Sequence, residues 1–341
     1  MKPPTIADIA RAAGVSKGAV SYALNGKPGV SELTRQRVLR IADELGWHPS
    51  SAARALIDGR SGAIGLVVDR PAWVLGIESF FMQLIAGIEA ELSATGGGTA
   101  LLLQATEDAE AEMAAYRRWW GERRVDGVIL VDLREDDPRP GVVRELELPA
   151  VIVGHAGGIE GLPSVRIDDG VAITEVVGYL AALGHRRVAR VAGPGRFVHT
   201  RERTDAFAGG ALALGLTAVT LTADYSAEGG AQATRRLLSA LERPTAIVYD
   251  NDVMAVAGLG VAQEMGLDVP ADLSIVAWDD NALCSLVRPA LTAVGRHVPE
   301  HGRQAVRTLL KVIDGEPVTD VTIDPPVLVP RASTAPARSP H

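Results

Sequence analysis

Residues 5–25 read Thr5-Ile-Ala-Asp-Ile-Ala-Arg-Ala-Ala-Gly-Val-Ser-Lys-Gly-Ala-Val-Ser-Tyr-Ala-Leu-Asn25. Thr5 followed by Asp8 has the form of a capping pair, and Ile6, Ile9 and Ala10 then fall at helical spacing. That helix must stop at Gly14, which takes the left-handed conformation at little cost. Ser16 caps a second helix that carries Ala19, Val20, Ala23 and Leu24 and ends near Asn25-Gly26. Only Ala13-Gly14-Val15 separate the two, too few for antiparallel packing, so they cross steeply as in a helix-turn-helix. A third helix runs from Ser31 through Val38, Ile41, Ala42 and Leu45 to Gly46, and its stripe closes a small core with Ile6, Ile9, Val15 and Val20. A three-helix domain with no nucleic-acid role fits this spacing too. The outer face of the second helix favours the other reading. Ser16, Lys17, Gly18, Ser21, Tyr22 and Asn25 are small or polar, as suits phosphate and base-edge contacts.

Charge is distributed to match. The 341 residues carry a formal net charge of −8. Residues 1–60, however, hold nine Lys and Arg against five Asp and Glu, a net +4, which leaves −12 on the remaining 281. A basic head on an acidic body is expected where the head alone meets a polyanion. The length points to two or three domains, and 47% hydrophobic residues suffice for a sizeable interior. No apolar run is long enough to cross a membrane, and no signal-peptide core follows Met1, so a soluble cytoplasmic protein is expected. The single cysteine, Cys284, allows no internal disulfide and reads as a small buried apolar residue.

From residue 62 short apolar runs alternate with helical patterns. The runs are 63–68, 127–131, 150–153, 188–192, 246–249 and 275–278. The helices are expected at 79–94, 170–183, 203–214, 228–241, 252–265 and 299–313. Such alternation predicts buried parallel strands in an α/β fold. Ligands of parallel sheets gather at the carboxyl ends of strands, here Asp69-Arg70, Asp132, Gly154-His155, Gly193-Pro194, Asp250-Asn251-Asp252 and Asp279-Asp280. Asp252 and Asp280 are read as helix N-caps. So polar a set of strand ends suits a small ligand with many hydroxyls. No catalytic signature is present: GxSxG, GxGxxG and a Walker loop are all missing. His297 and His301 stand four apart but lack a third ligand, so neither metal nor cofactor is expected.

The 5–25 stretch, continued by Val30-Ser31, Thr34-Arg35, Val38, Leu45-Gly46-Trp47-His48-Pro49 and Ala53-Arg54-x-Leu56, resembles the head of LacI/GalR-family transcription regulators. Further matches are Ala182-Leu-Gly-His-Arg-Arg-Val188, Arg203-x-x-Ala-Phe207, Asp250-Asn-Asp-x-Met-Ala255 and Ser274-Ile-Val-Ala-Trp-Asp-Asp280. The resemblance implies an all-α helix-turn-helix head (1–48), a hinge helix and linker (49–60) and a two-lobed α/β periplasmic-binding-protein-like core (61–331). Lobe 1 is then about 61–162 and 292–322, lobe 2 about 163–291 and 323–331, and Leu291-Thr292 marks the crossing back between them. Residues 332–341 are expected to be a flexible tail.

It also implies roles. Lys17, Gly18 and Tyr22 would read bases, although Gly18 has no side chain to read with. Thr5, Ser16, Ser21, Asn25, Ser31 and Thr34 would contact phosphates. Ala53, Arg54 and Leu56 would enter the minor groove, with Leu56 wedged between base steps. Arg203, Asn251 and Asp279 would hydrogen-bond the effector, beside Asp69 and the aromatics Trp73, Phe80, Tyr225 and Trp278. Gly154 stands where some sugar-binding relatives have an aspartate. The expected function is a dimeric regulator, most simply a repressor, which binds a palindromic double-stranded operator and is switched by a small effector such as a sugar. The tail Ser333–His341 has two prolines and cannot form the leucine-rich tetramerisation helix of some relatives, so a homodimer is expected. A solute-binding protein or a sugar-modifying enzyme of the same α/β class competes with this reading.

Overall fold

Helix α1 (Ile6–Ala13) starts where the Asp8 carboxylate accepts the Thr5 N–H at 3.0 Å and its hydroxyl at 2.6 Å. It ends on Gly14 at φ 67. Ser16 Oγ accepts from Ala19 N at 3.1 Å to open α2 (Lys17–Leu24), and Ser31 Oγ accepts from Thr34 N at 3.3 Å to open α3 (Glu32–Glu44). Ile9, Val20 and Val38 are fully buried among Ala10, Ala13, Ala23 and Ala42. Leu45 caps α3 beyond its last turn and is exposed, so it is not part of the stripe expected above. This computed structural model describes residues 4–47, 59–70, 75–96, 98–154 and 161–338. They divide into a head unit, Met1–Ser61, and a core unit, Gly62–His341.

The core holds two six-stranded sheets. The first is built from β1 (Ala63–Asp69), β2 (Ala100–Thr106), β3 (Gly127–Leu130), β4 (Ala150–Val153), β5 (Ser164–Arg166) and β11 (Val321–Thr322), in the order β11-β5-β4-β3-β1-β2 and all parallel. The second contains β6 (Arg187–Ala192), β7 (Thr217–Thr222), β8 (Ala246–Tyr249), β9 (Ser274–Trp278), β10 (Thr292–Gly295) and β12 (Val327–Val329). Its order is β12-β10-β9-β8-β6-β7, parallel except for β12. The helices flanking the sheets include α4 (Ser79–Ala94), α5 (Ala109–Gly121), α6 (Arg139–Glu145), α7 (Asp169–Ala182) and α8 (Val198–Ala213). After them come α9 (Ala227–Leu238), α10 (Asp252–Glu264), α11 (Ala282–Leu286) and α12 (Val298–Ile313).

The lobes divide at different points from those expected. Ser164–Arg166 pairs with β4 and belongs to the first sheet. Thr292–Gly295 pairs with β9 and β12 and belongs to the second, so the chain returns to the first lobe after Gly295 and not at Leu291-Thr292. The described part of the tail is also docked rather than loose. Ser333 is fully buried, its Oγ donating to Ile275 O at 2.6 Å and accepting from Thr292 N at 2.8 Å, and Ala337 N donates to Leu183 O at 2.8 Å. Small residues and prolines read as a linker, but they leave the backbone free to lie against the second sheet.

Helices α4 and α12 meet backbone to backbone at two glycines. A Cβ on Gly87 would lie 2.0 Å from Pro299 O, and one on Gly302 would lie 2.3 Å from Leu84 O. Gly87→Ala or Gly302→Ala must therefore push the two helices apart. Each is expected to cost about 1–3 kcal/mol, seen as a lower urea midpoint for the core at unchanged slope.

Candidate functional site

In the head, Lys17 and Gly18 form the exposed start of α2, and Tyr22 lies one turn further along at 47% exposure. The spacings 17, 21, 25 and 18, 22 put these residues on one helix face. The Tyr22 ring is seated over Gly29, where a Cβ would approach its Cδ2 to 3.3 Å and where φ is +114, so glycine there positions the ring. Ser16 and Ser31 use hydroxyl lone pairs to cap their helices. Thr34 Oγ1 stands 2.9 Å from Ser31 Oγ, and Asn25 Nδ2 donates to Ser21 O at 2.9 Å. Thr5 has its hydroxyl hydrogen committed to Asp8. Ala53, Arg54 and Leu56 lie outside the described residues, as does Trp73.

The core carries a pocket between its lobes at the carboxyl ends of both sheets. Arg70, Glu78, Phe80 and Asp132 line it from the first lobe, and Asp169, His199, Arg203, Tyr225, Asp279 and Arg296 complete it. The groups are charged, buried and matched. Arg203 donates to Asp169 Oδ2 from Nε at 2.8 Å and lies 2.6 Å from it at Nη2, with its guanidinium 4.3 Å above the Trp278 ring. Arg296 clamps Asp279 Oδ1 at 2.6 and 2.5 Å and faces the Phe80 ring at 4.9 Å. Arg70 reaches Asp132 at 2.7 Å and Glu78 at 3.4 Å. Free space among these side chains is about 40 Å³, room for water rather than for a drug-sized ligand. Asp169 Oδ1 is buried with no hydrogen-bond donor.

Of the core residues named from sequence, Arg203, Asp279, Phe80 and Tyr225 come together here. Three others act from outside the lining. Asn251 caps α10 by accepting from Met254 N at 2.8 Å and donates to Tyr225 O at 2.9 Å. Trp278 is fully buried beneath Arg203. Asp69 binds Arg134 at 2.9 Å. The N-cap expectations for Asp252 and Asp280 fail, because the caps are their amide neighbours Asn251 and Asn281. Asp280 instead pairs with Arg331 at 2.7 Å. The strand ends expected to gather a ligand also bring Arg70, Asp132, Gly154 and Asp250 to the lining, whereas Glu78, Asp169, His199 and Arg296 were not singled out from sequence.

The lobes are also bridged directly. Val198 N donates to Leu133 O at 2.9 Å and Glu135 N to Arg196 O at 3.3 Å, with Arg134 and Phe197 forming an antiparallel β-bridge. Arg201 pairs with Glu135, and Arg70 lies 4.6 Å from the Phe197 ring centroid. His199 Nε2 lies 2.9 Å from Tyr225 Oη, and its Nδ1 is 3.8 Å from Asp132. Burial, reinforced by nearby Arg203, lowers the His199 pKa to about 4, so this imidazole is neutral at pH 7. Cys284 is fully buried and burial pushes its thiol up to about 12, in keeping with an apolar role. Among the described residues no group of His, Cys, Asp and Glu could hold a metal ion, and no helix is long and apolar enough to cross a membrane.

A helix-turn-helix head joined to a two-lobed α/β core with a polar interlobe pocket defines the class of ligand-responsive DNA-binding regulators. Residues 5–50 match the bacterial regulatory proteins, lacI family, and residues 177–334 match the periplasmic binding protein-like domain. The chain is 35% identical over 349 residues to the HTH-type transcriptional regulator MalR of Streptomyces coelicolor, covering 97% of each. It is 32% identical to the HTH-type transcriptional regulator CelR of Thermobifida fusca, covering 94% of this chain and 95% of the relative. Among solved structures, the lac repressor dimer bound to operator and the anti-inducer ONPF aligns with a TM-score of 0.85 at 28% identity, covering 98% of this chain and 100% of that one. The transcriptional regulator CelR–cellobiose complex aligns at 0.74 and 30% identity, covering 97% and 99%. The chain belongs to the LacI family of DNA-binding transcriptional regulators, and its relatives are named as regulators and not as enzymes.

Glu78 supplies a pH test of the pocket. Burial raises its pKa to about 7, against the pull of Arg70 and with help from Asp132 and Asp279. Between about 4.5 and 7 the folded chain keeps a proton that the unfolded chain has lost, so this group makes stability fall as pH rises through that window. Glu78→Gln is expected to remove that slope, worth at most about 3 kcal/mol, in melting curves recorded from pH 5 to 8.

Proposed function

We propose that the protein is a homodimeric repressor that binds a palindromic operator through two heads and is released by a neutral polyhydroxylated effector, a sugar. A two-fold axis relating two identical heads requires matching half-sites. Such a regulator works in the bacterial cytoplasm, where its DNA lies. In the head, Lys17 donates to guanine O6/N7, and Tyr22 donates, accepts or packs on a thymine methyl, while Gly18 allows close approach. Ser16, Ser21, Asn25, Ser31 and Thr34 position the phosphate backbone. Thr5 contributes by shaping the first turn through Asp8. The 53–56 segment, with Ala53, Arg54 and Leu56, enters the minor groove.

One observation carries the choice of effector. Each arginine lining the pocket already holds a carboxylate, whereas Asp169 Oδ1 is a buried acceptor with no donor. A ligand hydroxyl can donate to that oxygen and relieve an unsatisfied group worth about 1–3 kcal/mol. An anionic effector would find no uncommitted positive charge among these arginines. Arg203 and Asp279 then bond the ligand directly, Tyr225 and Phe80 cover its apolar faces, and Asn251 holds Tyr225 in place. The CelR–cellobiose complex supports this reading as a structural relative that binds a sugar.

Fluorescence anisotropy with operator variants tests the head. Lys17→Ala or Tyr22→Ala should relax base preference at one position by about 1–3 kcal/mol, whereas Ser31→Ala should weaken all sequences alike. Identical behaviour of the two classes would remove base readout from α2. For the core, a thermal-shift series of sugars and polyols should yield a ligand that stabilises the protein and weakens operator binding. Arg203→Ala should abolish both responses. A ligand that tightened operator binding would make the protein a corepressor-dependent regulator, and a stable tetramer in light scattering would exclude the dimer.

A further inference from the structure

The second lobe holds another pocket, remote from the cleft. It opens at the other end of the second sheet, where β6, β8 and β9 begin, and its volume is about 530 Å³. That size suits a small molecule. Four arginines line it, Arg186, Arg187, Arg243 and Arg338, against one carboxylate, Asp272. The surplus is notable in a chain whose residues beyond position 60 carry −12. Arg338 is paired with Asp272, and Arg187 with Glu242 at 3.4 Å. Among the described residues, Arg186 and Arg243 have no carboxylate within ion-pair distance.

The wall behind these arginines is built rather than incidental. His185 is buried, with its ring nitrogens 2.8 Å from Thr245 Oγ1 and 3.1 Å from Ser274 Oγ, so it ties together the starts of three strands. The Ala337 N–H that donates to Leu183 O brings the tail, and with it Arg338, over the same opening. Four chain segments thus converge on one space, and three of them present guanidinium groups to it.

We propose that this pocket binds a small oxyanion with two or more negative charges, a phosphate ester or a polycarboxylate. Arginine forks match the planar geometry of both groups. Two uncompensated guanidiniums call for at least two charges on the ligand. A singly charged ion at so exposed a site gains little over water. The site is independent of the effector cleft, where the lining arginines are already held by carboxylates.

The test uses the full-length protein with inorganic pyrophosphate and, separately, citrate, each against potassium chloride at matched ionic strength. Saturable stabilisation by at least one of the two probes is expected, with the melting temperature rising by about 5 °C at a hundredfold excess over Kd. The double variant Arg186→Glu, Arg243→Glu alters two exposed side chains, so its melting temperature without ligand should stay within about 2 °C of the parent. It should bind the probe at least about tenfold more weakly by calorimetry. Pyrophosphate alone would assign a phosphoester site and citrate alone a carboxylate site. No saturable response to either probe, or an undiminished response in the double variant, would overturn the proposal.

Discussion

The core depends on a buried chain of alternating charge, Arg203–Asp169–Arg296–Asp279. Asp169 stands where the polypeptide first leaves the first sheet for the second, and Arg296 stands where it returns. Arg296 lies 3.9 Å from Asp169 and 2.5 Å from Asp279 while facing Phe80 of the other lobe. All four ionic side chains are nine-tenths or more buried. A buried charge deprived of its partner costs several kcal/mol, so none of these residues can move alone. Lobe geometry is therefore tied to the state of the chain's own ion pairs.

Backbone strain gathers at the same place. Six non-glycine residues among those described have positive φ, and three of them, Asp132 (51), Tyr225 (68) and Asp279 (67), line the interlobe pocket. Each such residue costs of the order of 1–3 kcal/mol, and it persists because the surroundings over-determine it. Tyr225 shows how. Asn251 binds its carbonyl, and His199 and Thr200 meet its hydroxyl at 2.9 and 3.1 Å. Gly193 leaves room for the ring, since a Cβ there would lie 2.0 Å from Tyr225 Cζ. Asn251, which the family resemblance places at the effector, here holds Tyr225 through its backbone carbonyl.

That case marks the limit of what the sequence discloses. The head was legible almost residue by residue, because Ser16, Gly14 and Ser31 terminate helices through local hydrogen bonds and backbone conformation alone. Buried strands such as 150–153 and 246–249 were legible as uninterrupted apolar runs. The edge strand 217–222 was not, since its exposed Thr-Ala-Val-Thr-Leu-Thr alternates too little to mark a face. Nor were 292–295 and the docked tail, whose places are decided by pairing with distant strands. In the pocket, strand-end position identified the neighbourhood. Which of two adjacent residues faces inward depends on the local twist: Arg70 rather than Asp69 lines it, and Asn281 rather than Asp280 caps a helix.

The charge division constrains how the two units communicate. The head carries +4 and the remainder −12, so attraction to a phosphate backbone resides in the head. At physiological salt, interactions between exposed charges fade over about 8 Å, so the acidic core cannot hold the head on DNA or repel it over long distances. A neutral effector of the kind proposed would add no charge either. Any influence of such an effector on DNA affinity, typically about 1–3 kcal/mol of coupling, would then have to be carried by a change of geometry. The polypeptide between residues 47 and 62 is the covalent route within one chain, and in the proposed dimer the pairing of two chains would offer a second. On either route the ligand would have to favour one lobe arrangement over another, and the Arg134–Phe197 bridge and the Arg201–Glu135 pair are contacts that span the two lobes.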